Sequence, residues 1–180
     1  KILKSTKNKY YIIQISTDQV YSGIGPHSES DANPVNYYSF TKYETEKLLK
    51  NVNAISLRTN FFGKSLNKNK FSFTDKIYNS CLNEKKFNVF NDVYFSPVSL
   101  NTIYYVINSL IKKNINGIYN LGTKEGMSKK EFALYFSKLV NLNTKNIIGN
   151  SQKDVNLLAK RPNDMRLNSQ KLESKLEIKF

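Results

Sequence analysis

Residues 10–59, YYIIQISTDQVYSGIGPHSESDANPVNYYSFTKYETEKLLKNVNAISLRT, carry the pattern that decides the fold. Tyr10 to Ile15 is a short apolar run with β-branched residues, the pattern of a strand buried on both faces. Gly23, Gly25, Pro26 and Pro34, with Ser and Asp between them, predict irregular chain over residues 16–35. Asn36 stands where a helix N-cap belongs, ahead of a helix over Tyr37 to Lys50. Ala54 to Thr59 follows as a second strand. Strand, loop, helix and strand in that order make a βαβ unit, the building block of a parallel sheet with a right-handed crossover.

Working outward, Phe71 to Asn83 and Asn101 to Lys113 carry apolar residues at helical spacing, with Phe87 to Phe90 as a short strand between them. Gly117 to Gly122 is another strand. Ser128 to Val140 opens on a good cap and predicts a helix that buries Phe132, Leu134, Tyr135 and Leu139. Asn146 to Gly149 reads as a brief strand, Ser151 to Asp164 as a loop, and Ser169 to Leu176 as a last short helix. There is no internal repeat and no linker rich in Pro or Gly.

With 180 residues, 39% of them hydrophobic, the chain suits one globular domain or part of one. A single cysteine, Cys81, excludes an internal disulfide, and no apolar run is long enough to cross a bilayer, so a soluble cytoplasmic protein with no membrane partner is expected. The opening Lys1-Ile2-Leu3-Lys4 has neither an initiator Met nor the apolar stretch of a secretory signal, and reads as a sequence entered partway. The net charge of +14 raises nucleic-acid binding as an alternative. Only Arg58, Arg161 and Arg166 among the 28 basic residues are arginine, whereas base readout and bidentate phosphate contacts favour Arg. Abundant Lys, Asn, Ile and Tyr together fit A/T-rich codons on a solvated surface, and no nucleic-acid partner is expected.

Chemistry concentrates in Ser16-Thr17-Asp18-Gln19-Val20-Tyr21, directly after the first strand, where open α/β sheets bind ligands. The Thr17 hydroxyl suits a hydrogen bond to a substrate carbonyl oxygen, and Tyr38 and Lys42, four apart, share one helix face. Those three groups suffice for carbonyl reduction. A phenol with a pKa of about 10 is a poor acid at neutral pH, but a nearby ammonium favours the phenolate and eases proton donation as hydride reaches the carbon. Tyr43 and Lys47 show the same spacing, so position must decide. Tyr38 lies in the first helical turn, just after the Asn33-Pro34 loop; Tyr43 lies deeper, rotated by roughly 140°, and suits packing or exposure. His27, the only histidine, sits in a loop without Cys or His neighbours, and no metal is expected. For Arg58, Asp92 and Arg161, surface or structural pairing competes with a functional role.

Residues 15–49 resemble the active-site stretch of extended short-chain dehydrogenases/reductases acting on nucleotide sugars: Ser-Thr-Asp before Val-Tyr, an acidic Pro-containing loop, then Tyr-x-x-x-Lys. Within that superfamily the likeness is to dTDP-4-dehydrorhamnose reductases. It continues through Leu57-Arg58-Thr59-Asn60-Phe61-Phe62-Gly63, Asn91 to Val98, Gly117 to Gly122, Arg161-Pro162 and Leu167 to Leu172. The resemblance implies an incomplete Rossmann-like parallel sheet with a small α+β substrate-binding region. Residues 1–63 would be the C-terminal part of the cofactor-binding domain and 64–180 mainly the substrate region, with about 97–122 returning to the first. It implies Thr17 as carbonyl hydrogen-bonder, Tyr38 as proton donor, and Lys42 as tuner of Tyr38 and ligand of the nicotinamide ribose, with Tyr38 and Lys42 both cofactor-binding. Asp18, Asn60 and Arg161 would be substrate-binding. NADPH or NADH, a nucleotide-sugar substrate, a homodimer and a part in cell-surface polysaccharide synthesis are implied likewise. The related 4,6-dehydratases carry Glu where this chain has Gln19, and an amide cannot take a ring proton, so reduction is favoured over dehydration, with a nucleotide-sugar epimerase or dehydratase as the alternative. Where rhamnose-forming relatives commonly carry Gln and Gly near residues 92–97, this chain has Val93 and Phe95, which reshapes the sugar pocket.

A dinucleotide site in this fold needs a first strand, a Gly-rich turn and the helix that receives the pyrophosphate, and no such turn occurs in the 180 residues. Three or four missing strand-helix units would amount to roughly a hundred residues. Two other readings stay open. One is a non-catalytic relative, like the regulatory subunit of methionine adenosyltransferase, against which Thr17, Tyr38 and Lys42 weigh. The other is a truncated product without function. The chain by itself is expected to bind NADPH weakly or not at all. A fluorescence titration with NADPH checks this, and micromolar affinity would refute it.

Overall fold

Successive side chains on a strand point to opposite faces of its sheet, and the central strand of this protein uses that rule to separate two chemistries. In the computed structural model, which describes residues 10–67 and 69–180, the opening Lys1-Ile2-Leu3-Lys4 lies outside the described residues. The central strand, β2, is the nine-residue Ala54–Phe62. β1 (Ile12–Ile15) and β6 (Gly117–Leu121) run parallel to its first part, and β5 (Pro97–Ser99) runs parallel to Asn60, Phe61 and Phe62. The α/β class and the parallel sheet expected from the sequence are both present.

One face of β2 is apolar. Ile55 and Leu57 join Tyr119 and Leu121 of β6 beneath α3 (Leu100–Lys113) and α5 (Gln170–Leu176), which contribute Ile103, Val106, Leu110, Leu172 and Leu176. Each such buried aliphatic side chain is worth about 1.5–3 kcal/mol. The opposite face is polar: Gln14 lies beside Ser56, and Arg58 beside Asn120. It is covered by α1 (Tyr37–Leu49), whose buried residues are Ser39, Glu46 and Leu49.

A helix so poor in buried apolar residues must be held by polar contacts. Glu46 supplies them from a fully buried carboxylate, accepting from Arg58 Nη2 at 2.6 Å and from Nε at 3.0 and 3.1 Å. Arg58 Nη1 donates to the Tyr21 hydroxyl at 2.7 Å and to the Glu29 carbonyl at 2.8 Å, and Tyr21 donates to Asn120 Oδ1 at 2.6 Å. Ser16 Oγ donates to Glu46 Oε1 at 2.5 Å. Burial alone would lower the Arg58 pKa, but Glu46 and Tyr21 outweigh it and keep the guanidinium charged. Arg58 therefore has the structural-pairing role weighed for it above.

Beyond the sheet, α2 (Phe73–Leu82) and α4 (Lys129–Leu139) bring Ile77, Cys81, Phe132 and Ala133 against β3 (Phe87–Phe90), which pairs in parallel with β8 (Ile147–Asn150). β4 (Tyr94–Phe95) is flanked by antiparallel β7 (Met127–Ser128) and parallel β9 (Asp164–Met165). Phe62, at the end of β2, packs edge-on to Phe132 at 5.1 Å between ring centroids and so joins the sheet to this second cluster.

Three expectations need correction. β1 is half-buried along its length rather than buried on both faces, because among the described residues it stands at an edge of the sheet. In α4, Tyr135 and Leu139 are 59% and 64% exposed; the helix instead turns Phe132, Ala133 and Ser137 inward. The short strands β4, β5, β7 and β9 were not foreseen, since two or three residues leave no readable period.

Removing one partner of the buried pair leaves a charge without compensation. Arg58→Met is expected to cost about 3–5 kcal/mol in denaturant unfolding, and the double change Glu46→Leu with Arg58→Met markedly less than the sum of the two single changes.

Candidate active site

β1 ends at Ile15, and its last carbonyl is not left to solvent: Lys42 Nζ donates to it at 3.1 Å. The same stretch of α1 is held again by Gln14, whose Nε2 donates to the Lys42 carbonyl at 3.3 Å and whose Oε1 accepts from Ser56 Oγ at 2.6 Å. Lys42 is thereby fixed two residues before Thr17. An ammonium has three protons, and this one spends a single proton on the protein among the described residues.

Thr17 begins a one-turn 3-10 helix over Asp18–Val20, its Oγ1 accepting from Gln19 N at 3.2 Å. The hydroxyl proton faces Asp18 Oδ1 at 3.4 Å, too long for a strong bond, and remains available to a better acceptor. Asp18 is 1% exposed, and its Oδ2 accepts from Asn60 Nδ2 at 2.7 Å. Asn60 points to this side because β2 alternates: it follows Ser56 and Arg58 on the polar face. Burial pushes the Asp18 pKa up to about 6, against the opposing charge of Lys129 and the hydrogen bonds from Asn60 and Thr17.

Tyr38 lies in the first turn of α1, one turn before Lys42, half exposed and with no hydrogen-bond partner for its phenol among the described residues. The start of that helix is fixed by a capping box between Asn36 and Ser39. Asn36 Nδ2 also donates to the Lys160 carbonyl at 3.0 Å, which brings Arg161 to the same end of α1. Arg161 is exposed and its guanidinium is unpaired among the described residues. Tyr43 and Lys47 face elsewhere. Lys47 pairs with Glu44 at 2.7 Å and lies over the Tyr43 ring at 4.5 Å, and both line a separate cleft of about 690 Å3 with Glu46, Ser56 and Ile118.

The other candidates divide similarly. Asp92 is structural: it accepts from Ser151 Oγ at 2.5 Å and from Gln152 N at 2.9 Å, and these bonds outweigh its burial to hold its pKa below the usual carboxylate range. His27 is buried, stacked on Tyr21 at 4.8 Å between ring centroids, with Nε2 2.9 Å from the Asp164 carbonyl. Among the described residues no three acidic, Cys or His side chains converge as metal ligands, and no helix is long and apolar enough to cross a membrane. Val93 and Phe95 are both buried, and Phe95 lies under the ammonium of Lys129 at 3.3 Å from its ring centroid. Lys129 escaped the sequence reading. As one of many lysines, at the start of a helix, it carries no spacing or motif that separates it from a solvated charge.

The family described as RmlD substrate binding domain matches residues 4–180. No curated protein matches the chain. Among solved structures it is similar to the dTDP-4-dehydrorhamnose reductase of Bacillus anthracis str. Ames in complex with NADP, at 23% identity and TM-score 0.84, over 95% of this chain and 62% of that one. It is also similar to a hypothetical dTDP-4-dehydrorhamnose reductase from Sulfolobus tokodaii, at 27% identity and TM-score 0.79, over 96% of this chain and 61% of that one. A dTDP-4-dehydrorhamnose reductase from Clostridium acetobutylicum ATCC 824 matches at 26% identity and TM-score 0.80, over 91% of this chain and 59% of that one. The chain thus spans between 59% and 62% of the length of these three structures.

A buried acid whose folded pKa lies above its unfolded one contributes stability at low pH that is lost as pH rises through the folded value. Chemical unfolding is expected to show wild type losing stability relative to Asp18→Asn by on the order of 3 kcal/mol as pH rises from about 4 to beyond 6. The variant keeps an acceptor for Asn60 and removes only the titrating group, so the difference between the two pH profiles isolates Asp18.

Proposed function

The chain belongs to the RmlD substrate binding domain family, and from that membership we propose that it forms the catalytic and sugar-holding part of an NAD(P)H-dependent reductase. Its substrate is a nucleotide-linked deoxy-sugar with a 4-keto group. The observation that carries this reading is the bond from Lys42 to the last carbonyl of β1. It ties the helix bearing Tyr38 and Lys42 to the strand end that leads into Thr17, which supports reading the three side chains as one set for carbonyl reduction.

The residues present fit the nicotinamide side of a dinucleotide. Lys42 keeps two ammonium protons free for ribose hydroxyls, and Tyr38 presents an unpartnered phenol beside it in sequence register. When bound, NADPH or NADH supplies hydride to the carbonyl carbon. Thr17 donates its hydroxyl proton in a hydrogen bond to the carbonyl oxygen and so favours the growth of negative charge there. Tyr38 transfers its phenolic proton to that oxygen, completing the alcohol, and Lys42 stabilises the phenolate left behind. Asn60 holds Asp18 against the sugar, and Arg161, free at the same end of α1, suits a phosphate of the nucleotide.

Gln19 favours reduction over dehydration of the sugar, because an amide cannot accept a ring proton at neutral pH. The test uses the polypeptide that carries this chain. Tyr38→Phe is expected to lower 4-keto-sugar reduction by about 100-fold or more while leaving cofactor affinity within a few-fold, read by nicotinamide absorbance and by fluorescence titration. Full activity in that variant would overturn the reading in favour of a non-catalytic relative.

A further inference from the structure

A parallel sheet is normally covered on both faces, and on the polar face of this one the cover is incomplete. α1 and the turn at Glu29–Asp31 leave between them the cleft of about 690 Å3 that Tyr43 and Lys47 line. Its floor is the start of two strands. Ala54 and Ser56 of β2 alternate onto this face, and Ile118 of β6 stands in register with Ser56. Gly117, beside Ile118, adds no side chain to fill the space. The strands run parallel, so this end is the opposite one from Thr17 and Asn60. A molecule held here does not meet the groups suited to carbonyl reduction.

The size suits a small organic ligand, and the walls say what kind. Ala32 stands on the loop side and the Tyr43 ring on the helix side, with no hydrogen-bond partner for the Tyr43 phenol among the described residues. Four cations and two carboxylates line the cleft. Arg58 is spent on Glu46, and Lys47 on Glu44 outside it. Lys50, Lys171 and Glu29 remain. Glu29 is engaged with β6, its Oε1 accepting from the Asn120 amide at 2.9 Å. Lys171 gives one proton to the Ile118 carbonyl at 2.8 Å and lies over the Tyr119 ring at 4.5 Å. Lys50, the C-cap of α1, has no acceptor for its ammonium among the described residues. Neither lysine has a carboxylate partner among those residues, and residues 1–9 and 68 contain no Asp or Glu. With two lysines against Glu29, the cleft holds one positive charge more than it answers.

We propose that this cleft is a second binding site, which takes a small organic monoanion with an apolar body, an aromatic carboxylate or sulfonate. The body lies on Ala54 and Ile118 between Ala32 and Tyr43, and the anionic group meets Lys50 and Lys171. A bare inorganic anion leaves the apolar floor uncovered, and a neutral molecule leaves the lysines unanswered. The site stands whether or not the chain serves a reductase, because none of these residues belongs to the set around Thr17, Tyr38 and Lys42. Its occupant bears on the back of the helix whose first turn carries Tyr38.

The probe is anilinonaphthalenesulfonate, a monoanion whose emission rises in apolar surroundings, with uncharged phenylnaphthylamine as its control. Both are titrated into the polypeptide that carries this chain, with and without saturating NADPH and dTDP, which close the dinucleotide and nucleotide-sugar pockets to the dyes. The sulfonate is expected to bind saturably, at one equivalent, with the same affinity in both conditions. The double change Lys50→Gln with Lys171→Gln alters only exposed side chains, and circular dichroism checks that the fold is kept. It should weaken the sulfonate by about five- to tenfold and the uncharged amine by less than about twofold. Displacement of the sulfonate by NADPH and dTDP, a lack of saturable binding, or losses equal for the two dyes would overturn the inference. Equal affinity of the sulfonate for wild type and the double variant would do the same.

Discussion

The buried pair of Glu46 and Arg58 is the interaction on which this architecture turns. A helix that lies on a sheet normally stays there by burying an apolar stripe. α1 has little to bury, and the face of the sheet beneath it is lined by Gln14, Ser16, Ser56, Arg58 and Asn120. The guanidinium fills that gap with directional bonds, reaching the helix through Glu46, the loop after β1 through Tyr21 and Glu29, and β6 through Tyr21 and Asn120. Such a pair contributes little net stability compared with well-packed apolar groups, but it tolerates only one arrangement of its partners. Helix, strand and loop are therefore fixed relative to one another in rotation as well as in distance, which is what a site assembled from all three requires.

The charges within the site obey the opposite logic. Glu46 and Arg58 close upon each other with every polar atom engaged; Asp18 and Lys129 attract without meeting. Asp18 is propped by Asn60, and Lys129 rests on Phe95. The first pair is satisfied within the protein and serves the fold, while Asp18 and Lys129 form no ion pair with each other.

Much of this was legible in the sequence because it is periodic or local. The βαβ unit, the Asn36 cap and the long helices follow from spacing and capping chemistry that neighbouring residues dictate, and Thr17, Tyr38 and Lys42 are nameable as a set because they lie within one such unit. The rest depends on encounters between distant segments. Alternation along AISLRTN places Ser56, Arg58 and Asn60 on one face, yet nothing local says that a carboxylate twelve positions earlier will cover them. The face of α4 is set by where β3, β4 and β8 approach, and the helical pattern that assigned Tyr135 and Leu139 to the core does not say where those strands lie. Lys129 could be found only through Phe95 and Asp18, which are far from it in sequence.

The length of β2 has a mechanical consequence. Its first residues are clamped between β1 and β6, its last three pair with β5, and its final side chain, Phe62, reaches the second apolar cluster. Along this single rod sit Arg58, which anchors α1, and Asn60, which props Asp18. The strand behaves as a stiff axle: the part of the protein that includes α1 and Asp18 and the part that carries Phe95 are mounted on one shaft. A shift of one part is therefore carried to the other through the strand they share.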